Sequence, residues 1–222
     1  MQAVIFDCDG VLINSEELCM GVELECLADI GLAFTPHDYV ARFMGMTTPA
    51  YYAELEKDFQ AKFGRSLPQD LAPTLNARSE AAVENGLALI QGAEAAVRGV
   101  HLPKAVASGS NPVGLAAKLK KVGLYDDFAP HIYSAQLVAR GKPAPDVYLH
   151  AARQLGIDPT ACVAVEDSAN GVTSARSAGM VVVGFTGGGH CPPHQGELLR
   201  GAGAAHIAAH MDQLLAILRG LS

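Results

Sequence analysis

Short runs of continuously apolar residues punctuate the chain, and each stops abruptly at a polar residue or a glycine. Ala3–Phe6 ends at Asp7, Ala105–Ala107 at Ser108, Cys162–Val165 at Glu166-Asp167, and Met180–Val183 at Gly184. Apolar runs without polar alternation predict strands covered on both faces, as in a parallel sheet. Between them the spacing turns helical. Pro112–Val122 carries Val113, Ala116, Ala117, Leu119 and Val122, and Pro145–Leu155 carries Val147, Leu149, Ala151, Ala152 and Leu155. A further helical stretch, Ser168–Ala178, follows the third run. Strands alternating with helices predict an α/β core of three layers, a parallel sheet with helices on both faces.

Residues 14–85 break this alternation. Leu18, Val22, Leu24, Leu27 and Ile30 recur at helical spacing, and helical patterns continue through Ala50–Lys62 and Asp70–Glu84. With no buried strand in the stretch, the expected organisation is a core of residues 1–13 and 86–222 and a helical domain, 14–85, inserted after the first strand. Neither an internal repeat nor a low-complexity linker interrupts either part.

Composition narrows the function classes. Half the residues are hydrophobic, enough for a substantial core. The net charge is −7, and Lys120-Lys121 is the only adjacent basic pair, which argues against nucleic acid as a partner. The cysteines (Cys8, Cys19, Cys26, Cys162 and Cys191) are odd in number and lack CxxC spacing. That pattern fits reduced thiols. The first apolar run meets charge at Asp7, too early for a signal peptide or a membrane span. The expectation is a soluble cytoplasmic protein without a membrane partner, a monomer with a dimer as the alternative.

Candidate chemistry sits at the strand ends, because open α/β sheets bind ligands outside the carboxyl ends of their strands. Asp7, Ser108 and Asp167 occupy such ends, and Lys142 lies in the proline-bracketed loop Gly141-Lys142-Pro143-Ala144-Pro145. Carboxylates are hard oxygen ligands suited to Mg²⁺. A hydroxyl and a lysine can neutralise the oxygens of a phosphoryl group, and a carboxylate can attack phosphorus to give an aspartyl phosphate.

Asp7-Cys8-Asp9-Gly10-Val11-Leu12, Ala107-Ser108-Gly109-Ser110, Gly141-Lys142-Pro143 and Val165-Glu166-Asp167-Ser168 resemble, in order, the motifs of the haloacid dehalogenase-like hydrolases. The resemblance runs from residue 3 to about 185 and implies a Rossmann-like core with a helical cap. It implies Asp7 as nucleophile and metal ligand, and Asp9 as general acid/base whose backbone carbonyl also binds Mg²⁺. It implies Ser108 and Lys142 as the phosphate clamp, and Asp167 and Glu166 as metal ligands. Gly109 and Asn111 are the further candidates for substrate contact, with Ser110 and Asn111 as helix caps before Pro112 the alternative reading. In the insert, Arg42 and Thr47 flank a glycine turn, where related caps face their substrates; a solvated arginine at a helix–helix turn is the equal alternative. His190-Cys191-Pro192-Pro193-His194 reads as a Gly/Pro-rich loop near the rim of the site rather than as a zinc site.

Asp9 argues for phosphorus chemistry over dehalogenation. The early insert, Asn14–Leu32, holds no lysine of the kind phosphonate-cleaving relatives use. The segment Ser15–Met20 lacks the histidine common in sugar-phosphate mutases. The expected activity is Mg²⁺-dependent hydrolysis of a small phosphorylated metabolite, such as a sugar phosphate or 6-phosphogluconate. A phosphosugar mutase is the rival, and a non-catalytic binding protein on the same scaffold is the further alternative.

Overall fold

The computed structural model describes residues 1–43, 46 and 48–221. Met44, Gly45, Thr47 and Ser222 lie outside the described residues, and with them the substrate contact expected of Thr47. The chain divides into two compact units, Met1–Glu16 with Leu87–Ser222, and Glu17–Gly86.

Strand β1 (Ala3–Phe6) is followed by helices α1 (Ser15–Asp29), α2 (Pro36–Phe43), α3 (Thr48–Phe63) and α4 (Leu71–Gly86). The chain continues through α5 (Ala93–Gly99), β2 (Lys104–Ser108), α6 (Pro112–Lys121), α7 (Tyr125–Phe128), β3 (Ile132–Ser134) and α8 (Asp146–Leu155). It closes with β4 (Cys162–Glu166), α9 (Ala169–Ser177), β5 (Val181–Phe185), α10 (Gln195–Ala202), β6 (His206–Ala208) and α11 (Met211–Gly220). Among the described residues the strands form one six-stranded sheet in the order β3-β2-β1-β4-β5-β6. Every neighbouring pair is parallel. The chain winds outward from β1 on one side, then crosses back to β4 on the other. This is the Rossmann-like order, and its switch point lies between β1 and β4.

Successive side chains of a strand point to opposite faces, and the core is two apolar layers accordingly. Val4, Phe6, Val106, Val163, Val165 and Val183 pack with residues of α5, α6, α7 and α11. Ala3, Ile5, Ala105, Ala107, Ala164 and Val182 pack with α8, α9 and α10. The second layer is rich in alanine on both sheet and helices, which lets α8 lie close on β2. Strands β3 and β6 escaped the sequence reading: each has three residues and is partly exposed, so neither makes an apolar run.

The backbone up to Asn14 is tied into the first unit, which runs to Glu16. Asn14 N donates to Ala88 O at 3.1 Å, and Ala88 N donates to Asn14 Oδ1 at 2.8 Å. Ile13 also bridges Leu89 in antiparallel fashion. The insert has its own core, in which Leu27, Leu55 and Phe59 are fully buried.

Phe128 is 1 % exposed and meets the Phe6 ring edge-on at 5.8 Å. Phe128→Ala leaves a cavity between α7 and the sheet and is expected to destabilise the fold by about 3–5 kcal/mol. Urea unfolding followed by far-UV circular dichroism measures it; a loss below about 1 kcal/mol would mean that α7 does not close the core.

Candidate active site

The backbone brings the carboxylates together. Asp7 N donates to Val165 O at 2.9 Å, which extends the β1–β4 pairing by one residue and sets Asp7 level with the end of β4. Glu166 and Asp167 follow there. The chain beyond Asp7 folds back at once: Leu12 N donates to Cys8 O and Gly10 N to Ile13 O, both at 2.9 Å. The fully buried Cys8, Val11, Leu12 and Ile13 anchor this turn. Gly10 has φ 78°, and a Cβ there would lie 1.9 Å from Asp167 Oδ2. Glycine is therefore required both for the backbone conformation and for the approach of Asp167. Gly171 does the same for Glu166, whose carboxyl atoms would stand 2.0 Å from an added Cβ.

Asp7, Glu166 and Asp167 are buried, and each offers an oxygen within 4.8 Å of the others'. Lys142 Nζ lies 2.9 Å from Asp7 Oδ1 and 2.5 Å from Glu166 Oε1. Tyr148 donates to the same Glu166 oxygen at 2.6 Å, and Ser168 Oγ to the other at 3.2 Å. The buried His190 holds Asp167 Oδ2 through Nε2 at 2.8 Å, and Gln195 donates to the Asp167 carbonyl. Asp7 Oδ1 is buried and meets the Lys142 ammonium in a close charge pair. Burial pushes the Asp7 carboxyl well above its usual range; Lys142 pulls it down, and Glu166, Asp167 and Asp9 push it up again. Three buried acids faced by one lysine and one histidine make a donor set that fits a divalent cation with hard-ligand preference.

Asp9 belongs to a different cluster. Its Oδ1 accepts from Ser15 Oγ and Lys118 Nζ, both at 2.6 Å. Its Oδ2 accepts from Ser110 Oγ at 2.8 Å and Ser108 Oγ at 3.0 Å. Burial pushes the Asp9 carboxyl up, but Lys118 and these hydroxyls outweigh it and hold the group below its usual range. The loop after β2 is braced by Ser110 N donating to Ser108 Oγ at 3.0 Å and by Ser134 Oγ donating to Ser110 O at 2.6 Å.

Asp7, Asp9, Ser108, Lys142, Glu166 and Asp167 thus gather at the carboxyl ends of β1, β2 and β4, linked by the contacts given above. Gly109 is exposed at the end of β2. Asn111 caps α6, its Oδ1 accepting from Gly114 N at 2.8 Å. Arg42 lies in the inserted unit, forked onto Asp58 at 2.5 and 2.8 Å with Glu54 at 3.4 Å.

Sequence reasoning missed Lys118 and His190 as members of the site. Lys118 carried a signal: it falls between Leu115 and Val122 in the apolar stripe of α6, where a charge is out of place. The loop of His190 was expected near the rim, since it follows the fourth apolar run, but nothing in the sequence pointed to its bond with Asp167.

Residues 1–179 match the haloacid dehalogenase-like hydrolase family. The chain belongs to this family. The 6-phosphogluconate phosphatase of Escherichia coli K12 is 28 % identical over 195 residues, 87 % of this chain and 86 % of that protein. The β-phosphoglucomutase of Bacillus subtilis 168 is 28 % identical over 206 residues, 83 % of each. The structure of a HAD-family hydrolase from Deinococcus radiodurans R1, solved with bound phosphate and sodium, superposes with a TM-score of 0.87 at 34 % identity. That match covers 100 % of this chain and 96 % of the other. This protein is therefore an enzyme of the HAD phosphatase and phosphosugar group. Among the described residues, no helix is long and apolar enough to cross a membrane.

His190 yields a pH prediction. Burial alone would lower its affinity for a proton, but the bond to Asp167 raises it to about 10. A folded value above the free imidazole's ~6.5 stabilises the fold fully below that pH, and the contribution is lost as pH rises through about 10. In chelator-treated protein, the melting-temperature gap between wild type and His190→Gln should therefore be wide near neutrality and narrow as pH approaches 10. A gap that widens with pH would contradict a charged His190.

Proposed function

We propose that this enzyme is a Mg²⁺-dependent phosphatase acting on a small phosphorylated sugar or sugar acid. The observation that carries the reading is Asp7: it is buried at the end of β1, its Oδ1 lies 2.9 Å from the Lys142 ammonium, and two further acids stand beside it. Asp7 attacks phosphorus, and the bond to the leaving alcohol oxygen breaks as the aspartyl phosphate forms. Asp9, ionised in the resting site, takes up a proton from solvent as substrate draws its hydroxyl donors away; it delivers that proton to the leaving oxygen, then takes one from the water that attacks the aspartyl phosphate. Ser108 and Lys142 hold the non-bridging oxygens as negative charge moves across them. Asp7, the Asp9 carbonyl, Glu166 and Asp167 would hold Mg²⁺. When bound, the ion supplies the positive charge that keeps Asp7 ionised and offsets the phosphoryl oxygens.

Asp9 touches Ser108 directly, so a phosphoryl group that draws Ser108 to itself also frees an Asp9 oxygen for proton transfer. The relation to a 6-phosphogluconate phosphatase supports a phosphorylated sugar acid as substrate. Arg42 and Thr47 are proposed for the substrate's far end. For Arg42 that means exchanging Asp58 for a substrate anion.

A phosphate-release assay over sugar phosphates and phosphorylated sugar acids tests the reading. Release should require Mg²⁺, vanish in Asp7→Asn, and fall by about 10²–10⁴-fold in Asp9→Asn. Interconversion of sugar phosphates without net phosphate release would replace the hydrolase by a mutase.

A further inference from the structure

An ionised carboxylate accepts about four hydrogen bonds and donates none. Asp9 has all four in place, from Ser15, Lys118, Ser110 and Ser108. Lys118 is the one cation among these donors, and it reaches Asp9 from the last turn of α6. It also grips the carboxylate twice. Its Nζ donates to Asp9 Oδ1 at 2.6 Å and to Ser110 Oγ at 3.1 Å, while Ser110 Oγ donates onward to Asp9 Oδ2 at 2.8 Å. A carboxylate held at both oxygens through one ammonium cannot turn without breaking a charge-assisted bond. Leu115 and Leu119 are fully buried on either side of Lys118, so the helix turn that carries it is fixed in the core.

We infer that Lys118 is the positioning residue of the acid/base Asp9, fixing the direction of its carboxylate directly and through Ser110. Lys118 and Lys142 then divide the work: Lys142 serves Asp7 and the phosphoryl group, and Lys118 serves the proton-transfer group. The inference rests on the acid/base role given to Asp9 above. A ligand lysine for phosphate and a lysine acting through Asp9 make opposite kinetic patterns, which lets the two be told apart.

The experiment compares Lys118→Met, Asp9→Asn and the double variant with wild type on the best substrate from the phosphate-release panel. Lys118→Gln, which keeps a polar donor without the charge, is the second variant should the methionine form fold poorly. Either single change at Lys118 should lower kcat by about tenfold or more, with KM and inhibition by inorganic phosphate staying within about twofold. The double variant should be no slower than Asp9→Asn alone, since a residue that acts through Asp9 has nothing left to position. Wild-type kcat in the Lys118 variants would overturn the inference. So would a shift of KM and phosphate inhibition at constant kcat, or a further loss in the Asp9→Asn background. All of these leave the phosphatase reading standing; absence of phosphate release by the wild type would sink that reading and this inference with it.

Discussion

Two adjacent parallel strands that end at the same level force three acids into one small volume, and everything around the site answers to that repulsion. With oxygens within 4.8 Å, each ionised pair costs roughly 3 kcal/mol at an effective dielectric of about 20. Burial leaves little water to relieve it. Lys142 is inserted between Asp7 and Glu166, His190 against Asp167, and Tyr148 and Ser168 against Glu166. Even so the positive charge falls short of the negative. A site that remains short of cations after folding suits one more cation.

The same crowding fixes backbone positions that have no chemistry of their own. Gly10 and Gly171 are spaces into which Asp167 and Glu166 fit. The acids lie that close because the first turn after β1 and the first turn of α9 lack a side chain at the contact. The sheet supplies the level, the glycines supply the clearance, and the charged residues fill what is left.

Much of this could be read from the chain. Strands β1, β2, β4 and β5 are covered on both faces, so their sequences are unbroken apolar runs, and the reactive residues stand where those runs stop. Strands β3 and β6 lie at the sheet edges, are short and half-covered, and write no such pattern. That Asp7, Ser108, Lys142 and Asp167 come together was legible because local motifs carry them to the strand ends. Lys118 and His190 were not, because their partners Asp9 and Asp167 are distant in sequence and only the tertiary fold makes the pairs. Asn111 shows the opposite limit: a polar residue near the phosphate motif whose side chain is engaged in capping a helix.

The paired hydrogen bonds between Asn14 and Ala88 bring the two chain ends of the insert together within the core. Ends held in this way make the length between them a small term, since each doubling of a loop adds only about 0.6 kcal/mol of closure entropy. By that scale the length of the insert weighs less on the core than one poorly chosen core substitution would.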